Sequence, residues 1–135
     1  MATFADLIIN DGLATPVAHT FKVKMNDKGI STWEDRVGGI PVGYLLVKVQ
    51  TNDTPVVRNV TIDIVCPVLA AISGANAQGF TPAQKVDYSN RSKHQFWLSQ
   101  RSTTAQRVDL WAYARNILDN TTIKSVITAG EEISG

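Results

Sequence analysis

Between Val56 and Cys66, apolar and polar side chains alternate with a period of two. Val60, Ile62, Ile64 and Cys66 fall on one side, and Asn59, Thr61, Asp63 and Val65 on the other. Successive side chains of a β-strand point to opposite faces, so this run reads as a strand with one buried face and one wet face. Its neighbour, Val42 to Thr51, has the same character. Leu45, Val47 and Val49 line one side, and Tyr44, Leu46, Lys48 and Gln50 the other. Two adjoining strands of this kind describe an antiparallel sheet covered on one side only.

The same alternation recurs along most of the chain. Val17, His19, Phe21, Val23 and Met25 are expected on one face of an earlier strand. Asn26-Asp27-Lys28-Gly29 is turn chemistry, with Gly29 suited to positive φ, so Ile30 to Arg36 can return as the second arm of a hairpin. Gly38-Gly39 and Pro41 then break the chain. A later strand carries Ser92, His94, Phe96 and Leu98 on one side and Arg91, Lys93, Gln95, Trp97 and Ser99 on the other. Between them Pro67 to Val86, rich in Ala, Gly and Gln, reads as a long loop, a type that in compact domains is usually functional or mobile.

After Ser99 the period changes. Thr103 and Gln106 fit a capping box, and Leu110, Trp111, Ala114, Ile117 and Leu118 recur at helical spacing through Asp119. Asn120-Thr121-Thr122 interrupts, and Ile123, Val126 and Ile127 predict a shorter helix ending near Gly130. About six strands followed by two helices make an α+β chain with helices on one face of an antiparallel sheet. At 135 residues it is expected to be one domain, 1–135.

Composition removes several function classes. A formal net charge of +1, from 13 Lys+Arg against 12 Asp+Glu, excludes a histone-like polycation. Cys66 is the only cysteine, so an intrachain disulfide and a multi-cysteine metal site are excluded. The start, Met1 to Asn10, has no basic residue and only Leu7-Ile8-Ile9 as an apolar group, which predicts a soluble protein made in a cytosol. His19 and His94 fall on apolar strand faces, where a hydrogen-bonded structural histidine is the expected role. Cys66 beside Pro67 reads as packing, and Glu34 and Asp35 point to opposite faces and form no dyad. Neither phosphate-binding glycine motifs nor HExxH occurs, so no cofactor is expected.

The polar sheet face is the informative feature. Lys48, Gln50, Asn59, Thr61, Asp63, Arg91, Lys93 and Gln95 come from three strands, all opposite the apolar rows. They form either an ordinary solvated face or an RNA-binding one, with Lys and Arg neutralising phosphates and Thr, Asn and Gln bonding exposed bases. The helices pose a second question. Leu110, Trp111 and Leu118 make a broad apolar band, whose cover is either the chain's own sheet or a second subunit.

With those elements in place, the chain resembles the coat proteins of small single-stranded RNA bacteriophages, the leviviruses. Four stretches in order carry the resemblance. They are Leu7 to Gly12 followed by Thr15 to Phe21, Gly29 to Arg36 with Gly38-Gly39-Ile40, Arg58 to Ile64 ending at Pro67-Val68, and Phe96 to Ser99 running into Ser102 to Arg107. The resemblance implies an N-terminal β-hairpin, an antiparallel sheet of about five strands and two C-terminal helices, interlocked with a second copy as a homodimer. It further implies dimers that assemble into an icosahedral shell around genomic RNA, in a virion put together in the bacterial cytoplasm, with no membrane partner. In studied members the inward sheet face also binds an RNA hairpin and so represses replicase translation.

Matched position by position, the RNA-facing residues fall on Lys48, Gln50, Asn59, Thr61, Asp63, Arg91 and Lys93, with Thr61 where the family lines an adenine pocket. Asp63 stands where a lysine is common, Arg91 replaces a stacking aromatic, and Leu46 occupies a position often basic. The Pro67–Val86 segment matches the loop that clusters at the shell's symmetry axes. Two other readings stay open on residues alone: a dimeric RNA-binding regulator that forms no shell, and a small ligand-binding or enzymatic domain using His94 or His19.

Overall fold

The computed structural model describes residues 2–72, 74, 79 and 82–134. Six strands form one antiparallel meander: β1 (Leu7–Asn10), β2 (Ala18–Asp27), β3 (Ile30–Asp35), β4 (Leu45–Asp53), β5 (Val57–Leu69) and β6 (Val86–Ser99). Their order across the sheet is their order in the chain. Two helices follow, α1 (Thr104–Asp119) and α2 (Thr121–Ala129). The chain divides into two compact units, Met1–Trp97 and Leu98–Gly135.

Within the first unit, local chemistry sets the register. Asp27 pairs with Ile30 across a two-residue turn in which Lys28 and Gly29 both have positive φ, 47° and 79°. That is the hairpin geometry matching the right-handed twist of strands. Gly29 is required twice over, because a Cβ there would stand 2.8 Å from the carbonyl oxygen of Thr51. The register of β3, β4 and β5 is then continuous: Trp33 pairs with Val47 and Val47 with Ile64, Thr32 with Lys48 and Lys48 with Asp63.

The apolar face holds the core. Phe21, Trp33 and Val47 are buried, with Phe4, Leu7, Leu45, Val49 and Ile64 packed around them. The Trp33 indole, only 7% exposed, donates to the carbonyl of Ala5 at 2.8 Å and meets the Phe4 ring at 5.2 Å between centroids. This contact ties the segment before β1 to the sheet.

Two sequence expectations need correction. Met25 does not share the face of Val23: the register shifts between them, and Met25 pairs with Thr32 while Val23 pairs with Trp33. An irregularity of this kind adds a residue to one strand and reverses the alternation beyond it. The expected Pro67–Val86 loop is shorter at both ends. β5 runs on to Leu69, the amide of Ala70 donates to the carbonyl of Lys85 at 2.9 Å, and β6 starts at Val86. Residues 73, 75–78 and 80–81 of that segment lie outside the described residues.

In the second unit both expected helices are present. The capping box closes as its sequence implies: the Thr103 hydroxyl accepts from the Gln106 amide and the Gln106 side chain accepts from the Thr103 amide. Asn120 ends α1 and caps α2, its side chain accepting from the amides of Thr122 and Ile123, and Gly130 terminates α2 in the left-handed region. Arg107 donates to the Ser102 hydroxyl at 2.8 Å and the Ser99 carbonyl at 3.0 Å, fixing the turn into α1. Neither helix buries a residue. No helix among the described residues is long and apolar enough to cross a membrane.

Candidate nucleic-acid interface

On the face opposite the core, cross-strand pairing assembles rows. Lys48 lies opposite Asp63, Gln50 opposite Thr61, and Asn52 opposite Asn59. Two side-chain contacts extend the rows onto β6: Arg91 donates through Nε to Asp63 at 2.8 Å with a second bond through Nη2, and Gln95 donates to Asn59 at 3.1 Å. Lys93, midway between them on β6, therefore stands in the row of Thr61. Lys48, Gln50, Thr61, Asp63, Arg91 and Lys93 together line one open recess of roughly 120 Å³. Of the seven residues expected on an RNA face, six line this recess and Asn59 adjoins it. Leu46, in the next row, pairs with Val65 and adds no charge.

The electrostatics of the recess are uneven. Arg91 grips Asp63 in a two-pronged pair, the carboxylate side chain being 11% exposed and the guanidinium 61%. Hydrogen bonds from Arg91 hold the Asp63 carboxyl below its ordinary value; burial opposes this, and the charges of Arg91, Lys93 and Lys48 reinforce it. Lys48 and Lys93 make no ion pair among the described residues. Three cations thus face a single carboxylate, and that carboxylate is committed to Arg91. An incoming phosphate meets two uncommitted ammonium groups and a guanidinium whose outer edge is open. Asp63, which stands where the family commonly has a lysine, sits here as the counterion of Arg91. Only the β5–β6 register could reveal this.

The remaining chemically capable residues are occupied elsewhere. His19 bridges two carboxylates, Nδ1 to Asp35 at 2.9 Å and Nε2 to Asp11 at 3.2 Å. The Asp35 and then the Asp11 hydrogen bond raise its pKa above the ordinary histidine value. Asp11 also accepts from the amides of Leu13 and Val17, so His19 clamps the β1–β2 connection to the end of β3. The structural role expected of His19 is present, though its partners are remote in sequence and could not be named from it. His94 meets the Ser92 hydroxyl at 2.8 Å, with no carboxylate orienting the ring among the described residues. Cys66 is free and half-buried. Glu34 pairs with Lys24 and Arg36, and so is separate from Asp35 in function as well as in facing.

An antiparallel meander with an apolar face and a recess lined by cations, followed by two helices, is the arrangement these residues build. Residues 2–133 match the family model for levivirus coat protein, and the chain belongs to that family. Among solved structures it is similar to the coat subunit in the virus-like particle of bacteriophage ESE058, with 26% identity, a TM-score of 0.90, and coverage of 98% of this chain and 100% of that one. The virus-like particle of bacteriophage NT-214 gives 27% identity and a TM-score of 0.88 over 98% and 100% of the two chains. The capsid protein of bacteriophage GA shares the fold at 14% identity, with a TM-score of 0.71 over 95% and 96%. A search of curated protein sequences finds no match. The expected α+β fold is thus present: a six-stranded antiparallel sheet that includes the N-terminal hairpin, followed by two C-terminal helices.

Proposed function

We propose that this chain forms a homodimer that assembles into an icosahedral shell enclosing single-stranded genomic RNA, with the recess face turned toward the RNA. The carrying observation is the convergence of Lys48, Gln50, Thr61, Asp63, Arg91 and Lys93 on one recess, with two ammonium groups that make no ion pair among the described residues. Lys48 and Lys93 neutralise phosphates, while Thr61, Gln50 and Asn59 bond base edges. Arg91 presents a guanidinium plane on which a base can stack. A hairpin of the genomic RNA is the ligand of this face within the same reading. The shell assembles in the cytoplasm of the host.

Two features support the homodimer. β6 is a 14-residue strand at the sheet edge, and a long edge presents unpaired backbone groups to another strand. The helical unit exposes Leu110, Trp111, Tyr113, Ile117 and Ile127, a quantity of apolar surface that a second copy would cover. With that copy in place, residues 1–135 act as a single coat-protein domain.

Electron microscopy and light scattering of purified protein test the shell; a persistent isolated dimer would leave a regulator that never encapsidates. Filter binding tests the face. Thr61→Ala is expected to weaken RNA binding about tenfold, as one buried polar contact to a base is lost. Unchanged binding in both Thr61→Ala and Lys93→Ala rejects the sheet face as the RNA site.

A further inference from the structure

Beyond the recess, the row of β6 that carries Arg91, Lys93 and Gln95 continues to Trp97. The hydrogen bonds of Arg91 to Asp63 and of Gln95 to Asn59 fix which face this row occupies, and strand alternation puts Trp97 on that face too. The indole is 63% exposed, whereas Phe96 and Leu98 on either side of it are half-buried. A tryptophan left in water beside a polar, cationic recess, on the face opposite the core, has no role in that core.

We propose that Trp97 is a stacking platform for an unpaired base, so that RNA is held by phosphate contacts in the recess and by one aromatic stack beside it. This rests on the reading of the recess face as the RNA site. The chemistry is complementary. Every nucleobase has a π-face that an indole can cover, and stacking needs no particular base edge. At about 3.3 Å per residue, Trp97 lies roughly 13 Å along the strand from Lys93, close enough for one RNA strand to reach both. The Gln95–Asn59 amide pair lies between them and still has a free donor and acceptor for a base edge. The occupant is therefore single-stranded RNA with an unpaired base. A basic patch alone would be satisfied by any polyanion, and the indole adds a requirement for bases.

The test uses the full-length protein and two probes, an unstructured oligouridylate and inorganic polyphosphate. Trp97→Ala is expected to weaken oligouridylate binding about tenfold or more while leaving its salt dependence and polyphosphate binding unchanged. Trp97→Phe should restore most of the affinity. Lys93→Ala, by contrast, should weaken both probes and lower the slope of log affinity against log salt by about 0.7. If Trp97→Ala weakens both probes equally, or neither, while Lys93→Ala behaves as expected, the stacking platform is rejected and the recess stands. If Lys93→Ala and Thr61→Ala change nothing, the recess reading fails and the platform with it. Dissociation of the assembled protein by both Trp97→Ala and Trp97→Phe would place the ring in a subunit contact and overturn the proposal.

Discussion

The polar face of the sheet has two halves that treat charge in opposite ways. Over β1 to β3 the charges answer each other: Asp6 accepts from Lys22 at 2.9 Å, and Glu34 is held between Lys24 at 3.1 Å and Arg36 at 2.8 Å. On this face over β4 to β6, Asp63 pairs with Arg91 while Lys48 and Lys93 make no ion pair among the described residues; the Arg58–Asp53 pair at 3.1 Å lies on the opposite face. The two halves share one sheet and one strand geometry. What separates them is the supply of carboxylates within reach of each lysine. A charged face is thus not a ligand site by composition alone; it becomes one where its charges are not already spent on one another.

The largest test of this division concerns the core beneath the paired half. Trp33→Ala should cost about 3–5 kcal/mol, read from urea unfolding, by emptying the space between Phe4, Phe21 and Val47. Its RNA affinity, measured well below the unfolding midpoint, should hardly change. The next compares two lysine pairs. Removing Lys48 and Lys93 together should lower the salt slope of RNA binding by about 1.4, whereas removing Lys22 and Lys24 should leave it nearly intact. Equal effects would erase the distinction between the halves.

The smallest effect is a pH dependence of the paired half. The charged groups facing His19 are Asp35 on β3 and Asp11 in the β1–β2 connection. Its raised pKa means that its stabilising contribution is complete below the ordinary value of 6.5 and is lost as pH rises through the raised one. Asp11 behaves oppositely. Backbone bonds, first from Val17, depress its pKa, so its contribution is present above the ordinary 3.8 and is lost as pH falls through the depressed value. Thermal unfolding should therefore show Tm declining on the alkaline side of 6.5, and His19→Gln should flatten that decline. An unchanged profile in the variant would separate the clamp from stability.

Much of the unpaired half was legible in the sequence because its information is local. Alternation alone places Lys48, Gln50, Asn59, Thr61 and Asp63 on wet faces, and the capping box at Thr103 and Gln106 needs only three residues' separation. What was not legible depends on distant registers. That Asp63 answers Arg91 requires β5 and β6 to align across the intervening segment, and that Asp11 and Asp35 share His19 requires three elements to meet. The slip after Val23 was hidden for another reason. Lys24 and Met25 continue a plausible polar–apolar rhythm, and no residue type there marks an inserted position. The exposed indole of Trp97 was visible on the polar face in sequence, but its exposure was not.

The order of the sheet has a consequence for how the protein is made. Each strand from β2 to β6 pairs with the one just before it, so no pairing waits on a strand synthesised much later. Such a meander keeps contact order low for an all-antiparallel sheet, and it can zip from the N-terminus as the chain leaves the ribosome. The connection from Leu69 to Val86 is the longest between neighbouring strands, so β6 is expected to dock last. Until it docks, the 13-residue strand β5 is the open edge of the sheet. How quickly that last connection closes therefore sets the time in which an unfinished sheet can capture the wrong partner.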